Sequence, residues 1–337
     1  MTSFGLQLPS FASAGRQVSL EHLVDAGNLA VDRGFESLWF IDHFLRAPTY
    51  GQAWLDPLLT IAALAPRVPR AYFGTAVLVA PLRHPVQLAR DAANLQYLSG
   101  GRLLLGLGVG WNPAEFAALG VPHSQRGRRT DEGIQALRRL LTVEHVSFDG
   151  RFHTFEDVTI EPRPTTPIPL WIGGGSQPAM TGSSERLLGP GDVSRTADAV
   201  IRRIAVGDGW CAPPHAGPEL LADDWRRVTD AADDVGRDLS SFTFAQQGYF
   251  HVVDTNDRDA AYAEQEAAFS GYVGAARPWS FVLENYLVGT VDDIVARLAE
   301  RAAVGATYNV LAPVVADPRS LHRQIELMSS KIMPAFD

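Results

Sequence analysis

Apolar positions in this chain fall into short continuous runs, separated by stretches in which they recur every three or four residues. The runs lie at about 3–8 (SFGLQL), 36–41, 71–79 (AYFGTAVLV), 102–107 (RLLLGL), 168–173 (IPLWIG), 206–211 (VGDGWC), 242–252 (FTFAQQGYFHV) and 306–312 (ATYNVLA). Their length and β-branched or aromatic content read as buried strands. Ahead of the second run, Leu20, Leu23, Val24, Leu29 and Ala30 keep helical spacing, as do Leu88, Ala89, Ala92 and Leu95 ahead of the fourth. Eight strands alternating with helices predict an α/β fold, a (β/α)8 TIM barrel, because parallel neighbours need crossover helices that cover the sheet.

Two connections are too long for simple crossovers. Residues 144–166 alternate like a hairpin around a DG turn and end in a Pro-rich bend. Residues 254–300 are helical in composition and include an amphipathic run that Thr290 opens as a cap. Both are expected to be lid insertions at the C-terminal face of a single domain over residues 1–337. The Gly- and Ser-rich stretch at 181–195 reads as a loop.

Composition narrows the function classes. With 46% hydrophobic and 20% charged residues the chain has the balance of a globular enzyme. A net charge of −9 argues against nucleic acid, whose binding needs a basic surface to release counterions. The N-terminus lacks a basic-flanked apolar leader and no run is long enough to span a bilayer, so a cytoplasmic protein is expected. Cys211 is the lone cysteine, which removes an internal disulfide, and Lys331 the sole lysine, which removes Schiff-base chemistry. The histidines form neither an H-x-H on the first strand nor an H-E-x-x-H, and no G-x-S-x-G occurs, so neither a metal centre nor a serine hydrolase is expected.

Candidate chemistry gathers at strand ends, where barrel active sites lie. Asp42 and His43 follow the second strand: either they face the site, His43 exchanging protons and Asp42 positioning it, or Asp42 caps a turn beside a structural histidine. Gly74, Thr75 and Ala76 are small residues within a bulky strand, which suits close approach of a flat ligand or tight strand packing. After the fourth strand, GLGVGWNPAEF has the spacing G-x-G-x-G (Gly106, Gly108, Gly110), one residue short of the dinucleotide signature. Asn112, Pro113 and Glu115 then mark a helix start, with Trp111 at the lip of the barrel. In PLWIGGGS, Gly173, Gly174, Gly175 and Ser176 could present backbone N–H groups and a hydroxyl to a phosphate, or simply make a tight turn.

Taken together, GFESLWFIDHF, the block from Gly74 to Gly120, PIPLWIGGGS and GDGW resemble the bacterial luciferase-like superfamily of flavin- and deazaflavin-dependent oxidoreductases. The resemblance covers roughly residues 3–211. It implies a ring bound at the carboxyl end of the barrel, Asp42 and His43 at ring and substrate, and a phosphate near the fifth strand. It also implies a non-prolyl cis peptide from Ala76 to Val77 behind the ring. The DH pair, where alkanal luciferases have EHH, favours the deazaflavin coenzyme F420 over FMN. Deazaflavin-dependent sugar-phosphate dehydrogenases carry glutamate where Trp111 stands, tryptophan where Ala47 stands, and phosphate-binding lysines lacking here, so a sugar phosphate is not the expected substrate. The expectation is hydride transfer between F420 and a small organic molecule. The alternatives are a monooxygenase using reduced FMN, oxygen and a separate reductase, and a non-catalytic flavin-binding barrel. Relatives commonly form homodimers.

Overall fold

The computed structural model describes residues 2–12, 18–46, 53–178, 180–181, 186–187, 193–273 and 277–336. All eight expected runs form strands: β1 (Ser3–Gln7), β2 (Ser37–Phe40), β3 (Tyr72–Thr75, resuming at Leu78–Val79), β4 (Leu103–Gly108), β5 (Leu170–Gly173), β6 (Gly209–Ala212), β7 (Thr243–Phe250) and β8 (Tyr308–Pro313). Each pairs in parallel with the next, for example Gly5 beside Ser37 and Leu105 beside Leu170. β8 returns to β1 with Tyr308 beside Ser3, which closes the barrel.

The helices are α1 (Leu20–Asp32), α2 (Pro57–Leu64), α3 (Pro85–Leu98), α4 (Pro113–Ala118), α5 (Arg126–Thr142), α6 (Asp198–Ala205), α7 (Pro218–Asp233), α8 (Arg258–Val273), α9 (Trp279–Asn285), α10 (Val291–Ala303) and α11 (Pro318–Leu327). Local chemistry starts several of them. Asp56 accepts from the N–H groups of Leu58 and Leu59 at 2.9 and 3.0 Å, ahead of Pro57 in the first turn of α2. Thr290 opens α10 through a reciprocal box with Asp293, as its position in the sequence suggests.

Inside the barrel, Trp39, Trp171 and Tyr308 pack ring against ring, with 5.0 Å between the indole centroids. Gly5, Gly74 and Gly209 make this possible, because a Cβ at any of them would strike one of the two indoles. Cys211 is buried in the same layer, where desolvation pushes its thiol up to about 12, so it stays protonated and inert.

Three expectations change in detail. β6 begins at Gly209, not 206, because Asp208 is tied down at the strand's foot by Arg138, Arg237 and the Leu170 N–H. The hairpin (Val146–Asp149 with Thr154–Val158) is present and is anchored to the helix α5. Its Val146 joins the hydrophobic core and Glu132 of α5 accepts three backbone N–H groups of its turn at 2.8 Å. Within 181–195, short ladders pair Gln177–Pro178 with Val193–Ser194 and Met180–Thr181 with Arg186–Leu187; the rest of that stretch, like Ala47, lies outside the described residues. Among the described residues, no helix is long and apolar enough to cross a membrane and no group of three His, Cys, Asp or Glu side chains could hold a metal ion.

Candidate active site

A cavity of about 440 Å³ opens at the carboxyl ends of the strands. Its walls bring together Asp42, His43, Ala76, Val77, Gly108, Gly110, Trp111, Gly173 and Gly174, residues that the sequence singles out from four separate strand ends. Trp54, Glu115, His215, Gln247, Tyr249, Tyr272 and Arg277 complete the enclosure.

Its floor is shaped by β3. The Ala76–Val77 peptide is cis, and the strand breaks there before pairing again with β4 at Leu78 and Val79. Val77 is thereby set against β4 and β5, and glycine is required opposite it. A Cβ on Gly173 would lie 2.8 Å from the Val77 side chain, and one on Gly108 would overlap it. Gly110 has φ +73°, and its Cβ would come within 2.6 Å of Val79. The G-x-G-x-G spacing is therefore a packing requirement of the bulge, and it leaves a smooth wall free of side chains.

His43 lines this wall beside a buried carboxylate. Its Nδ1 lies 3.0 Å from Glu115 Oε1, and that carboxylate is 1% exposed. The same oxygen accepts the backbone N–H groups of Phe44 and Leu45 at 3.1 and 3.4 Å, fixing the turn beyond β2. A carboxylate accepts, so the hydrogen between them sits on Nδ1, and Nε2 is the ring nitrogen that Glu115 does not engage. Glu115 was legible only as the third residue of α4. Asn112 does cap that helix, accepting from Ala114, but Glu115 turns away to His43 instead of closing a capping box.

Asp42 is corrected accordingly: it does not position His43. Its carboxylate accepts the Val79 N–H at 2.9 Å and Arg83 at 3.1 Å, and Arg83 also reaches Asp56 at 3.0 Å. Burial raises the Asp42 carboxyl above its ordinary range, and Arg83 and the Val79 N–H offset part of that rise. Asp42 thus fastens the resumed part of β3 to β2, beneath the cavity. Ser176 is also corrected. Its hydroxyl donates to Asp224 at 2.9 Å and accepts from the Thr196 N–H, and Asp224 takes its backbone N–H as well. A hydroxyl bound to a buried carboxylate is a poor anion donor, and neither Ser176 nor Gly175 lines the cavity. Trp111 does line it, at 37% exposure, with its ring 5.8 Å from that of His43.

The walls suit a flat heteroaromatic ring. Gly108 and Gly173 let Val77 seat in the floor with no side chains of their own beside it, Gly174 (φ +136°) lines the cavity with backbone, and the enclosing Trp54 has a buried Nε1 with no hydrogen-bond partner.

A family model described as luciferase-like monooxygenase matches residues 2–186. An uncharacterized protein of Mycobacterium tuberculosis is 33% identical over 56% of this chain and 57% of its own length, so the chain spans little more than half of that relative. The 4-hydroxyprotoasukamycin monooxygenase of Streptomyces nodosus subsp. asukaensis is 26% identical over 90% of this chain and 83% of that protein. An F420-dependent glucose-6-phosphate dehydrogenase of Amycolatopsis mediterranei is 32% identical over 63% of this chain and 59% of that protein. Two solved structures share the fold over nearly their whole length. The monooxygenase RslO1 from Streptomyces bottropensis has a TM-score of 0.79 at 22% identity, covering 99% of this chain and 100% of that one. An F420-dependent secondary alcohol dehydrogenase has a TM-score of 0.78 at 18% identity, covering 100% of this chain and 99% of that one. The chain belongs to the luciferase-like monooxygenase family.

Proposed function

We propose that the protein is an oxidoreductase that moves a hydride between the deazaflavin coenzyme F420 and a small, largely apolar organic substrate. The observation that carries this reading is the pairing of half-buried His43 with buried Glu115 in the wall of a cavity floored by the Ala76–Val77 bulge. When bound, the coenzyme supplies the carbon that gives or takes the hydride. Val77, Gly108 and Gly173 would hold the face of the ring, with the backbone of Gly110 and Gly174 along its edges. A carbonyl that accepts a hydride leaves an alkoxide oxygen, and His43 Nε2 donates the balancing proton; in the reverse direction it accepts one. Glu115 stabilises the charged imidazole through Nδ1. Trp54, Trp111 and Tyr272 shield the reacting atoms from water.

A second reading, a monooxygenase using reduced FMN and oxygen with a separate reductase, draws on the monooxygenase relative that matches 90% of the chain. The two are separated by an anaerobic assay with reduced F420 and a panel of aldehydes and ketones, run beside an oxygen-uptake assay with reduced FMN. Oxidation of F420 without oxygen supports the lead reading. Oxygen uptake with FMN and no turnover of F420 would replace it with the second.

A further inference from the structure

In the ring of strands, β2 and β6 stand four places apart, on opposite sides of the barrel. The turn after β2 brings His43 to the cavity, and the turn after β6 brings His215 to it from across the mouth. The two imidazoles have opposite surroundings. His43 is bound to a carboxylate, whereas His215 is 6% exposed and its Nδ1 has no hydrogen-bond partner. Around His215 are Tyr249, nearly parallel at 13° and 6.5 Å, Phe281 at 5.5 Å and Tyr286 at 5.4 Å. Burial, and then the Arg277 guanidinium, hold its pKa well below 6.5, so it is neutral at pH 7.

Buried polar atoms in native proteins are nearly always hydrogen-bonded, and a histidine kept only for packing in such an aromatic nest would be better replaced by phenylalanine. An unpaired nitrogen in the wall of a ligand cavity is explained when the ligand completes it. A second such atom is Nε1 of Trp54, a ring that lines the same cavity and packs at a tilt of 54° against Phe11, 4.6 Å away. The cavity wall is rich in aromatic rings, Trp54, Trp111, Tyr249 and Tyr272, which favours an aromatic ligand.

We infer that His215 determines specificity: its ring nitrogen hydrogen-bonds an oxygen substituent on a planar aromatic substrate seated against Tyr249 and Trp54. This names a substrate class for the oxidoreductase reading and rests on it. His43 would act at the reacting carbonyl or hydroxyl, and His215 would recognise an oxygen at the opposite end of the molecule.

The test compares 2-naphthol with naphthalene, which differ by one hydroxyl, by equilibrium dialysis against the full chain with and without saturating F420. The wild type is expected to prefer 2-naphthol by on the order of tenfold, the scale of one hydrogen bond. His215→Phe should lose that preference while binding naphthalene as before, and His215→Gln should keep it. Thermal melting of the ligand-free proteins supplies the readout that a structural role would move: His215→Phe should melt at or above the wild type, because it removes an unpaired buried nitrogen. No preference in the wild type, a preference surviving in a folded His215→Phe, or destabilisation of both His215→Phe and His215→Leu would each overturn the inference. Should Phe prove too large for the chain to fold, His215→Leu is read by the same criteria. F420 affinity of the variants separates the two readings. If F420 fails to bind even the wild type, the oxidoreductase reading falls while the naphthol comparison still decides for His215. If only His215→Phe loses F420, His215 serves the cofactor and this inference falls.

Discussion

Asp42 and His43 are neighbours in sequence and part company in space, because successive side chains at the end of an extended strand point in opposite directions. Asp42 turns to Arg83 and the Val79 N–H, while His43 turns to Glu115, 72 residues further along the chain. Substitution separates the two roles. Glu115→Gln should lower turnover in the anaerobic assay by about a hundredfold, with F420 binding retained, since a neutral amide neither fixes the tautomer nor stabilises the imidazolium. Asp42→Asn should instead lower stability by about 1–3 kcal/mol, measured by urea denaturation, since the bond from Val79 and the pairing with Arg83 are weakened. Equal losses of turnover from both would contradict this assignment. His215 adds a pH dependence of defined sign. The unfolded imidazole takes up its proton near 6.5 and the folded one resists it, so below pH 6.5 the unfolded state binds more protons and stability falls as pH falls. This group contributes a slope of up to about 1.4 kcal/mol per pH unit, and none above that range. The stability of His215→Phe relative to wild type should therefore rise between pH 7 and pH 5, and denaturation curves that stay parallel over that range would contradict the sign.

At the scale of elements, the barrel strands were legible because strands covered on both faces read as unbroken apolar runs, and β4 (LLLGLG) needs no tertiary information to be recognised. What the sequence hid were cases where two structures share one pattern. The alternation at 144–166 is that of any hairpin, and its anchoring through Val146 and Glu132 of α5 has no signal in the sequence. The part of 254–300 that meets the cavity does so through Tyr272 and Arg277, at the end of α8 and just before α9, positions with no periodic signal. Ser176 was misread for a similar reason: a Gly-rich strand exit looks alike whether its hydroxyl faces a ligand or a buried carboxylate, and Asp224 lies 48 residues away. One helix carries an unneeded weakness. Gly133 lies within α5, and a Cβ there would meet nothing within 4 Å. Gly133→Ala should raise stability by about 0.5–1 kcal/mol by restricting the unfolded chain, an increment readable in the urea midpoint, and an unchanged midpoint would count against it.

The whole molecule combines a plugged cylinder with an open mouth. Trp39, Trp171 and Tyr308 fill the interior below, and the β3 bulge carries Val77 to the level where Gly108 and Gly173 leave room above. Fold and site are coupled through this stack, since the glycines that admit Val77 are the same residues that would lie against a bound ring. The central claim is that the ring sits on this floor, and Gly173→Val tests it most directly, because the added side chain would strike Val77 and push it up into the space the ring needs. Wild type and variant should be titrated with oxidised F420 and with FMN, following quenching of protein fluorescence, with circular dichroism to establish that the variant is folded. The account predicts saturable binding of one cofactor by the wild type and its loss, by at least about a hundredfold in affinity, in a folded Gly173→Val. Binding of equal strength in both proteins would place the cofactor elsewhere and contradict the account.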